Sequence, residues 1–390
     1  MLVKKVSVQM VKKQYLCTVK RKHNTMRHRI IPFLLLFLNP SCTQAVVPEP
    51  EPTVTYTLCN TKATAETQKL WSLLCGQYGR NALSGVVANI DWNTREAENV
   101  YQWTGHYPAL NVFDFINIHA SKDVNPSGWL DYSDMTPVTE WSNAGGVVGC
   151  MWHWQVFAND GVNRTCSPGT EPGQTSFDAS KISDPNSTEY KQMVKDIDQV
   201  AGYLKQMQRL GIPVIWRPLH EAAGNSYEFV GGKPWFWWGA QGAEVYKKLW
   251  RFMYDRLVNY HKLNNLIWVW TSQVGDTDWY PGNDVVDIVG RDNYYALQYP
   301  LKKEYDFLKK TYPDKLITLA ECGNGDEVDM SLWSDIWAEG CRWSWFMTWY
   351  DAAYNSGRSD EHQFAGEAWW KDAFNSGVVL DRDEVRGLIK

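Results

Sequence analysis

Residues 213–221 read Pro-Val-Ile-Trp-Arg-Pro-Leu-His-Glu, a short run of β-branched and aromatic residues that ends in His220 and Glu221. Residues 315–322, Lys-Leu-Ile-Thr-Leu-Ala-Glu-Cys, have the same form and place Glu321 near their end. Short runs that are apolar almost throughout are typical of strands covered on both faces, as in parallel sheets. The two segments therefore indicate buried parallel strands that each end in an acid.

Six further runs of this kind occur along the chain, and helical patterns separate them. The eight strand candidates are residues 83–90, 109–116, 146–154, 213–221, 265–273, 287–294, 315–322 and 342–351. The helical patterns cover residues 94–103, 137–143, 189–210, 243–261, 301–312, 331–339 and 361–374. Regular alternation of strand and helix predicts an α/β fold of parallel strands joined by right-handed helical crossovers.

Eight strands favour closure into a (β/α)8 TIM barrel over an open doubly wound sheet. An open sheet usually carries a glycine-rich phosphate loop after its first strand. Residues 85–90, Gly-Val-Val-Ala-Asn-Ile, do not have that pattern, and no G-x-G-x-x-G motif follows a strand. The sequence contains neither an internal repeat nor a second domain boundary, so we expect residues 56–390 to form a single catalytic domain.

Nearly every strand candidate has polar or aromatic residues at its carboxyl end. They include Asp91, Trp92, Asn117, His119, His153, Trp154, His220, Glu221, Ser272, Gln273, Asp292, Tyr294, Glu321, Trp349 and Asp351. Barrel enzymes assemble their active sites at this edge. The pattern predicts one groove, and the chain's 22 Trp, 20 Tyr and 13 Phe indicate that part of the groove lining is aromatic.

Glu221 and Glu321 belong to the fourth and seventh strand candidates, three positions apart in a ring of eight. Leu219 and Leu319 each lie two residues before an acid, so strand alternation predicts that each leucine shares a face with its acid. Glycoside hydrolysis needs one carboxyl group to protonate the leaving oxygen and another to attack the anomeric carbon or activate water. Carboxylates about 5 to 5.5 Å apart give retention, and those about 6.5 to 9.5 Å apart give inversion. Strands 4 and 7 suit the shorter distance, which predicts a retaining enzyme.

Five motifs spread over much of residues 60–375 share an order and spacing. They are Trp216-Arg-Pro-Leu-His-Glu221, Trp235-Phe-Trp-Trp-Gly239, Ile288-Val-Gly-Arg-Asp-Asn-Tyr294, Ala320-Glu321 and Trp345-Phe-Met-Thr-Trp349. Together they resemble glycoside hydrolase family 26, the β-mannanase family. The resemblance implies a barrel that carries both catalytic glutamates on strands 4 and 7. Residues 224–234 depart from the family's compact form and indicate an extended loop.

The resemblance implies that Glu221 is the acid/base and Glu321 the nucleophile of a double displacement on the β-1,4 linkages of mannan, glucomannan or galactomannan. The other implied site residues are His153 toward the glycone side, His220 near the −1 sugar, Trp235 at the +1 sugar, Tyr294 as a hydrogen-bond donor to Glu321, and Trp349 as the platform beneath the −1 sugar. Arg217 and Asp292, polar residues in the same motifs, can bind sugar hydroxyls.

Two alternatives remain open. The same barrel and acids serve a β-glucanase or a β-1,3-xylanase, because the sequence does not show how the site treats the axial 2-hydroxyl of mannose. A non-catalytic glycan-binding protein that retains the groove is an alternative of a different class.

The first 42 residues differ in charge from the rest of the chain. Nine Lys and Arg and no acid precede Cys42, so this segment carries +9. Because the whole chain carries −5, the remainder carries −14. A strongly negative domain disfavours nucleic acid and anionic membranes as partners. We expect a monomer whose partner is β-mannan or its oligosaccharides.

Residues 1–42 predict an export leader. Met26-Arg-His-Arg and the apolar segment 30–38 have the charged and hydrophobic regions of a secretory signal. Nine apolar residues are too few to span a bilayer, which needs about 20. Residues 38–42, Leu-Asn-Pro-Ser-Cys, resemble a bacterial lipobox and predict a lipid anchor at Cys42.

The leader implies a lipoprotein in the periplasm or on the outer membrane, whose membrane contact is the lipid at Cys42. Ordinary signal cleavage and secretion is the alternative. Residues 1–25 would be an over-long start if Met26 is the initiator, and the Pro- and Glu-rich residues 43–55 read as an extended spacer.

Six cysteines remain beyond the leader. An even number in an exported chain permits disulfides, and the near-neighbour pairings are 59–75, 150–166 and 322–341. The sequence has no Cys-x-x-Cys motif and no His-x-x-x-His helix, so we expect neither a metal nor another cofactor.

Overall fold

The computed structural model describes residues 55–88, 92–120, 129–294, 301–324, 329–350 and 364–389, which all belong to one compact unit. The predicted leader, the lipobox cysteine Cys42 and nearly all of the spacer lie outside these ranges. Asp91 and Asp351, two of the polar strand ends, also lie outside them.

Eight parallel strands close into a barrel in chain order, which confirms the predicted fold. They are β1 (Gly85–Val87), β2 (Leu110–Asp114), β3 (Val147–Trp152), β4 (Val214–Pro218), β5 (Leu266–Ser272), β6 (Ile288–Asn293), β7 (Leu316–Cys322) and β8 (Phe346–Thr348). Thr348 of β8 pairs with Val86 of β1 and closes the ring. The ladders are shorter than the predicted runs because the last residues of most runs already belong to loops at the barrel ends.

The helices of the described residues pack against the barrel. They are α1 (Ala65–Gln77), α2 (Arg95–Thr104), α3 (Thr136–Asn143), α4 (Thr188–Arg209), α5 (Ala243–Tyr254), α6 (Leu301–Thr311), α7 (Trp333–Ala338), α8 (Glu367–Asn375) and α9 (Arg382–Leu388). A π-helical segment, Asp255–Tyr260, continues α5, and 3-10 turns occupy Ala179–Ser183, Trp237–Gly239 and Thr277–Trp279. Two short ladders pair Ala82–Leu83 with Val379–Leu380 and Val156–Phe157 with Arg164–Thr165.

Two helices, α1 and α9, were not predicted from the sequence. The hydroxyl of Thr64 caps α1, and the helix buries Leu70 against residues of the barrel interior. In α9, Asp381 and Glu384 form a capping box, in which each side chain accepts from the other residue's backbone amide. Val385 is the only buried residue of α9, so this helix has no apolar periodicity that the sequence could show.

Strand side chains divide between two layers of core. Ile215 and Ile267 belong to the layer inside the barrel, which α1 covers with its leucines. Trp216 and Leu319 belong to the layer between strands and helices, together with helix residues such as Leu204. The alternation of Ile215 and Trp216 between layers continues to Arg217, which places its side chain inside the barrel mouth.

The structure contradicts the three proposed disulfides, because all six cysteines in the described ranges are free. Cys150 and Cys322 lie within β3 and β7, where their side chains are completely buried in the layer beneath the helices. Burial raises the pKa of both thiols well above the ordinary value, so they remain protonated core residues. Among the residues described, no helix has the length and apolar character that crossing a bilayer requires.

Candidate active site

Three acids meet where β4, β6 and β7 end at the barrel mouth. Glu321 lies in β7, Asp292 lies in β6, and Glu221 lies three residues beyond the end of β4. One carboxylate oxygen from each acid lies within 4.8 Å of the other two. This separation is close to the distance of about 5 to 5.5 Å that retaining glycosidases need, and it is shorter than the distance for inversion.

Irregular backbone aims both predicted catalytic acids. Leu219 and Glu221 have φ angles of 50° and 51°, in the left-handed region that residues with a Cβ rarely adopt. In β7 the register against β6 shifts between Leu319 and Glu321, which interrupts the alternation of side chains. Leu319 therefore packs beneath the helices, whereas Glu321 accepts hydrogen bonds inside the mouth. The prediction that leucine and acid share a face is wrong for β7.

Two donors hold Glu321, which is almost completely buried. Arg217 Nη1 donates to Oε1 at 2.6 Å, and the Tyr294 hydroxyl donates to Oε2 at 2.8 Å. Each carboxylate oxygen thus has its own partner, one within β4 and one directly after the end of β6. This arrangement fixes the orientation of Glu321, as a carboxylate nucleophile requires.

Arg217 links the acids to one another. It donates through Nη2 to Asp292 and through Nε to Thr271 Oγ1 at 2.8 Å, in addition to its bond with Glu321. Burial disfavours the guanidinium charge, but the three acids more than offset this effect and raise the pKa of Arg217. All three guanidinium nitrogens therefore donate to protein groups, and in this structure Arg217 holds Asp292 and Glu321 together.

Glu221 has a different environment. Gln273 Nε2 approaches its Oε1 at 3.4 Å, and its carboxyl group lies within 4.8 Å of those of Asp292 and Glu321. Burial raises the pKa of Glu221 well above the ordinary value, and the charges of Asp292 and Glu321 raise it further, against the opposing charge of Arg217. A carboxyl group that keeps its proton near neutral pH has the property of a general acid.

Two histidines lie beside the acids. His153 follows β3 and His220 precedes Glu221, and their Nε2 atoms are 3.1 Å apart. Burial lowers the pKa of His220 well below the ordinary value, and the charges of Arg217 and His153 lower it further. His220 is therefore a neutral imidazole near neutral pH. Asp114, the last residue of β2, bonds with His153 Nδ1 at 2.5 Å.

Aromatic side chains complete the mouth. Trp349 is partly exposed, and its ring lies 5.8 Å from that of His153, measured between centroids. Phe236 lies 5.8 Å from His153 by the same measure. Trp235, also partly exposed, stands at the neck of loop 224–234, where its backbone passes close to Gly224. A Cβ at Gly224 would lie 2.9 Å from the Trp235 nitrogen, so this neck needs glycine.

The structure brings together most of the residues that the sequence analysis assigned to the site. Glu221, Glu321, Arg217, Asp292 and Tyr294 form one network, and His153, His220 and Trp349 form a second group beside it.

Three residues that support this network had no role predicted from the sequence: Asp114, Thr271 and Gln273. An acid at the end of an otherwise apolar strand was a usable signal for Asp114. Gln273 stood among the polar strand ends, and nothing in the sequence distinguished Thr271.

The three clustered carboxylates could each offer one oxygen to a cation. Arg217, however, already donates to Asp292 and Glu321, so a fixed positive charge occupies the space between them. The carboxylates of Asp292 and Glu321 thus suit a guanidinium, whose planar fork matches carboxylate geometry.

Comparison with known proteins identifies the family of this chain. The sequence profile of glycosyl hydrolase family 26 matches residues 59–384, the length of the barrel. The chain belongs to glycoside hydrolase family 26. This finding confirms the resemblance inferred from the five motifs.

Family 26 relatives are similar over most of the chain. A mannan endo-1,4-β-mannosidase from Thermothelomyces thermophilus is 34% identical over 347 residues, which cover 87% of this chain and 65% of that protein. Mannan endo-1,4-β-mannosidase A from Piromyces is 31% identical, over 84% of this chain and 50% of that protein. The chain thus spans less than two thirds of the length of these curated relatives.

Solved family 26 structures share the fold. The family 26 domain of an endo-β-mannanase/endo-β-glucanase from Prevotella bryantii superposes with a TM-score of 0.75 at 38% identity, over 84% of this chain and 98% of that domain. A β-(1,4)-mannanase from Podospora anserina, which carries a CBM35 module, superposes with a TM-score of 0.71 at 33% identity, over 88% of this chain and 72% of that one.

Proposed function

We propose that this family 26 chain hydrolyses β-1,4-mannosidic linkages in mannan, glucomannan or galactomannan with retention of configuration. The observation that carries the proposal is the pair Glu221 and Glu321, whose oxygens lie within 4.8 Å of each other in unlike surroundings. The substrate class comes from the relatives, which are named mannan endo-1,4-β-mannosidases.

In the first step, Glu321 attacks the anomeric carbon while Glu221 transfers its proton to the glycosidic oxygen. The glycosidic bond breaks, the aglycone leaves as an alcohol, and the glycone remains as an ester of Glu321. In the second step, Glu221 takes a proton from water, and the water oxygen attacks the anomeric carbon. Glu321 leaves as a carboxylate and Glu221 is protonated again, so two inversions give net retention.

The charge on Glu321 changes during the reaction, and the pKa of Glu221 changes with it. While Glu321 is ionised, its negative charge helps to keep the proton on Glu221. The ester has no such charge, so this contribution disappears and the pKa of Glu221 falls. Glu221 can then act as a base toward water. The closeness of the two acids thus serves both steps.

The remaining site residues have substrate-binding roles in this proposal. Trp349 would lie beneath the −1 sugar, Trp235 would contact the +1 sugar, and His153 and His220 would bind hydroxyls beside them. Planar indole faces suit the C–H surfaces of pyranose rings, and both tryptophans are partly exposed. Tyr294 would orient Glu321.

Arg217 and Asp292 were expected to bind hydroxyls, but their contacts support a role in holding the acids. Substitution of Asp292 by Asn would separate these roles. Loss of acid orientation would lower kcat, whereas loss of a hydroxyl contact would raise KM as well.

Hydrolysis assays on mannan, glucomannan and galactomannan, beside lichenan and β-1,3-xylan, test the substrate class. We expect turnover on the first three. Preference for lichenan would make the chain a β-glucanase, and preference for β-1,3-xylan a xylanase. Binding to mannan without turnover on any polymer would make it a glycan-binding protein.

The anomeric configuration of the first product tests the mechanism. Proton NMR during early hydrolysis of mannohexaose should show the β-anomer of the new reducing end before mutarotation. An initial α-anomer would establish inversion and overturn the double displacement.

We propose further that the chain is exported and anchored by a lipid at Cys42. The charged segment before residue 30, the apolar segment 30–38 and the lipobox-like residues 38–42 support this proposal. Labelling with radioactive palmitate in a bacterial host should mark the protein, and Cys42→Ser should abolish the label. Cys17→Ser is the matched control and should keep the label. Unlabelled protein in the medium would indicate ordinary secretion.

We also propose that the enzyme acts as a monomer, since Glu221, Asp292, Glu321 and Arg217 all come from one chain. Size-exclusion chromatography with light scattering tests this. A dimer at assay concentrations would overturn it.

A further inference from the structure

Asp114 is a buried acid at the carboxyl end of β2 that has no part in the double displacement described above. It is 4% exposed, and both of its carboxylate oxygens interact with His153. Oδ1 accepts from the His153 backbone amide at 3.0 Å, and Oδ2 bonds with its Nδ1 at 2.5 Å. A carboxylate only accepts hydrogen bonds, so His153 must carry a proton on Nδ1.

The other nitrogen of His153 meets a second imidazole. Its Nε2 lies 3.1 Å from Nε2 of His220, and the two rings cross at 79°. One proton lies between these nitrogens, because two protons would collide and two lone pairs would repel. The protonation of His153 determines which of the two histidines donates this proton. Asp114 influences that protonation through its bond with His153 Nδ1.

We propose that Asp114 is a positioning residue that acts through His153 to orient the proton shared by His153 and His220. This inference rests on the proposed function, since it assigns Asp114 to the same site. His220 directly precedes Glu221, so the chain of contacts runs from the end of β2 to the acid/base. Asp114 touches neither the proposed nucleophile nor the acid/base, and its effect passes through the two imidazoles.

The charges around the pair favour one order of protonation. Burial opposes a charge on His153, but Asp114 and, more weakly, Glu321 raise the pKa of His153, while Arg217 acts against them. Burial, Arg217 and His153 lower the pKa of His220. His153 therefore takes up a proton first as pH falls, and its Nε2–H then donates to His220. When His153 is neutral, His220 donates to it instead.

Asp114→Asn tests the proposal because the amide keeps the shape but loses the charge. We expect kcat/KM on mannohexaose to fall about 10- to 100-fold, the usual effect of losing a charged hydrogen bond. The pKa of His153, followed by NMR of nitrogen-labelled histidines, should fall, because the negative charge that raises it is gone.

A double substitution shows whether Asp114 acts through His153. In a His153→Ala background, Asp114→Asn should cause no further loss of kcat/KM. Two independent losses that multiply would overturn the proposal, as would an Asp114→Asn enzyme with wild-type activity and an unchanged His153 pKa.

Asp196→Asn is the matched control, since Asp196 is a buried acid that accepts from Trp154 Nε1 at 2.9 Å and lies 3.3 Å from His119 Nε2. It should change stability but leave kcat/KM within about twofold, as expected for a site away from the reacting groups.

Two outcomes separate this inference from the proposed function. If the wild-type enzyme cleaves no β-mannan, the proposed function fails, but histidine NMR of the wild-type protein still tests the proton order. A wild-type spectrum with His153 Nδ1 unprotonated, or with His220 titrating above His153, would overturn the role of Asp114. Because this NMR measurement uses the wild-type protein, it tests the role of Asp114 even if Asp114→Asn does not fold.

Discussion

Glu221 and Glu321 share one barrel mouth but have opposite surroundings. Glu321 lies within β7 and accepts from two donors, Arg217 and Tyr294. Glu221 lies beyond β4 and faces a second acid, Asp292, with one long contact to an amide. Hydrogen-bond donors orient an ionised carboxylate, whereas burial beside like charges keeps a carboxyl group protonated. Neighbouring groups, rather than residue type, therefore distinguish the proposed acid/base from the proposed nucleophile.

The largest expected effect comes from removing the proposed nucleophile. Glu321→Gln keeps the size of the side chain but cannot form the ester, so kcat on mannan should fall by at least about 10⁴-fold. Mannohexaose should still bind, as calorimetry would show. Glu339→Gln, an exposed acid outside the mouth, is the control. Near wild-type turnover by Glu321→Gln would show that Glu321 is not the nucleophile.

Removal of the proposed acid should have a smaller, substrate-dependent effect. Glu221→Gln should lose about 10² to 10⁴-fold in kcat/KM on mannan, the usual contribution of general acid catalysis. The loss should be much smaller on aryl mannosides with acidic phenol leaving groups, because such groups leave without a proton. Equal losses on both substrates would contradict the role of Glu221.

The pH profile gives a second measurement on the same variant. The wild-type kcat/KM should fall as pH rises through the raised pKa of Glu221, because the deprotonated form cannot protonate the leaving oxygen. In Glu221→Gln this alkaline decline should vanish for mannan. A decline that persists unchanged would assign it to another group.

Tyr294→Phe removes one of the two hydrogen-bond donors to Glu321. Arg217 remains, so we expect a loss of about 10- to 100-fold in kcat, the cost of one hydrogen bond to a charged group. Tyr305→Phe is the matched control, because Tyr305 is a buried tyrosine whose hydroxyl faces that of Tyr78 outside the mouth. Equal losses in both variants would indicate general destabilisation.

The smallest effect should follow removal of the amide beside Glu221. The 3.4 Å contact from Gln273 is long, so Gln273→Ala should lower kcat only about 2- to 5-fold. Steady-state kinetics beside Tyr294→Phe gives the direct contrast between the two acids. A greater loss for Gln273→Ala than for Tyr294→Phe would show that Glu221 depends more on its hydrogen-bond donor than Glu321 does.

Much of the fold could be predicted from local patterns. Each barrel strand overlaps a predicted run, and α2 to α8 overlap predicted helices, because an apolar strand or an amphipathic helix shows its buried face in the sequence. The α9 helix was missed since a capping box, rather than periodicity, defines its start. The near-neighbour disulfides were wrong because spacing along the chain does not reveal that Cys150 and Cys322 lie in buried strands.

The sequence by itself determined the barrel and the family and singled out Glu221 and Glu321, because strand runs and short motifs are local patterns that can be read one after another along the chain. Only the tertiary structure decided what surrounds those acids. Arg217 reaches Glu321 across 104 residues of chain, and the register shift before Glu321 depends on how β7 pairs with β6. Such contacts exist only after the ring has closed, since closure determines which side chains enter the shared mouth.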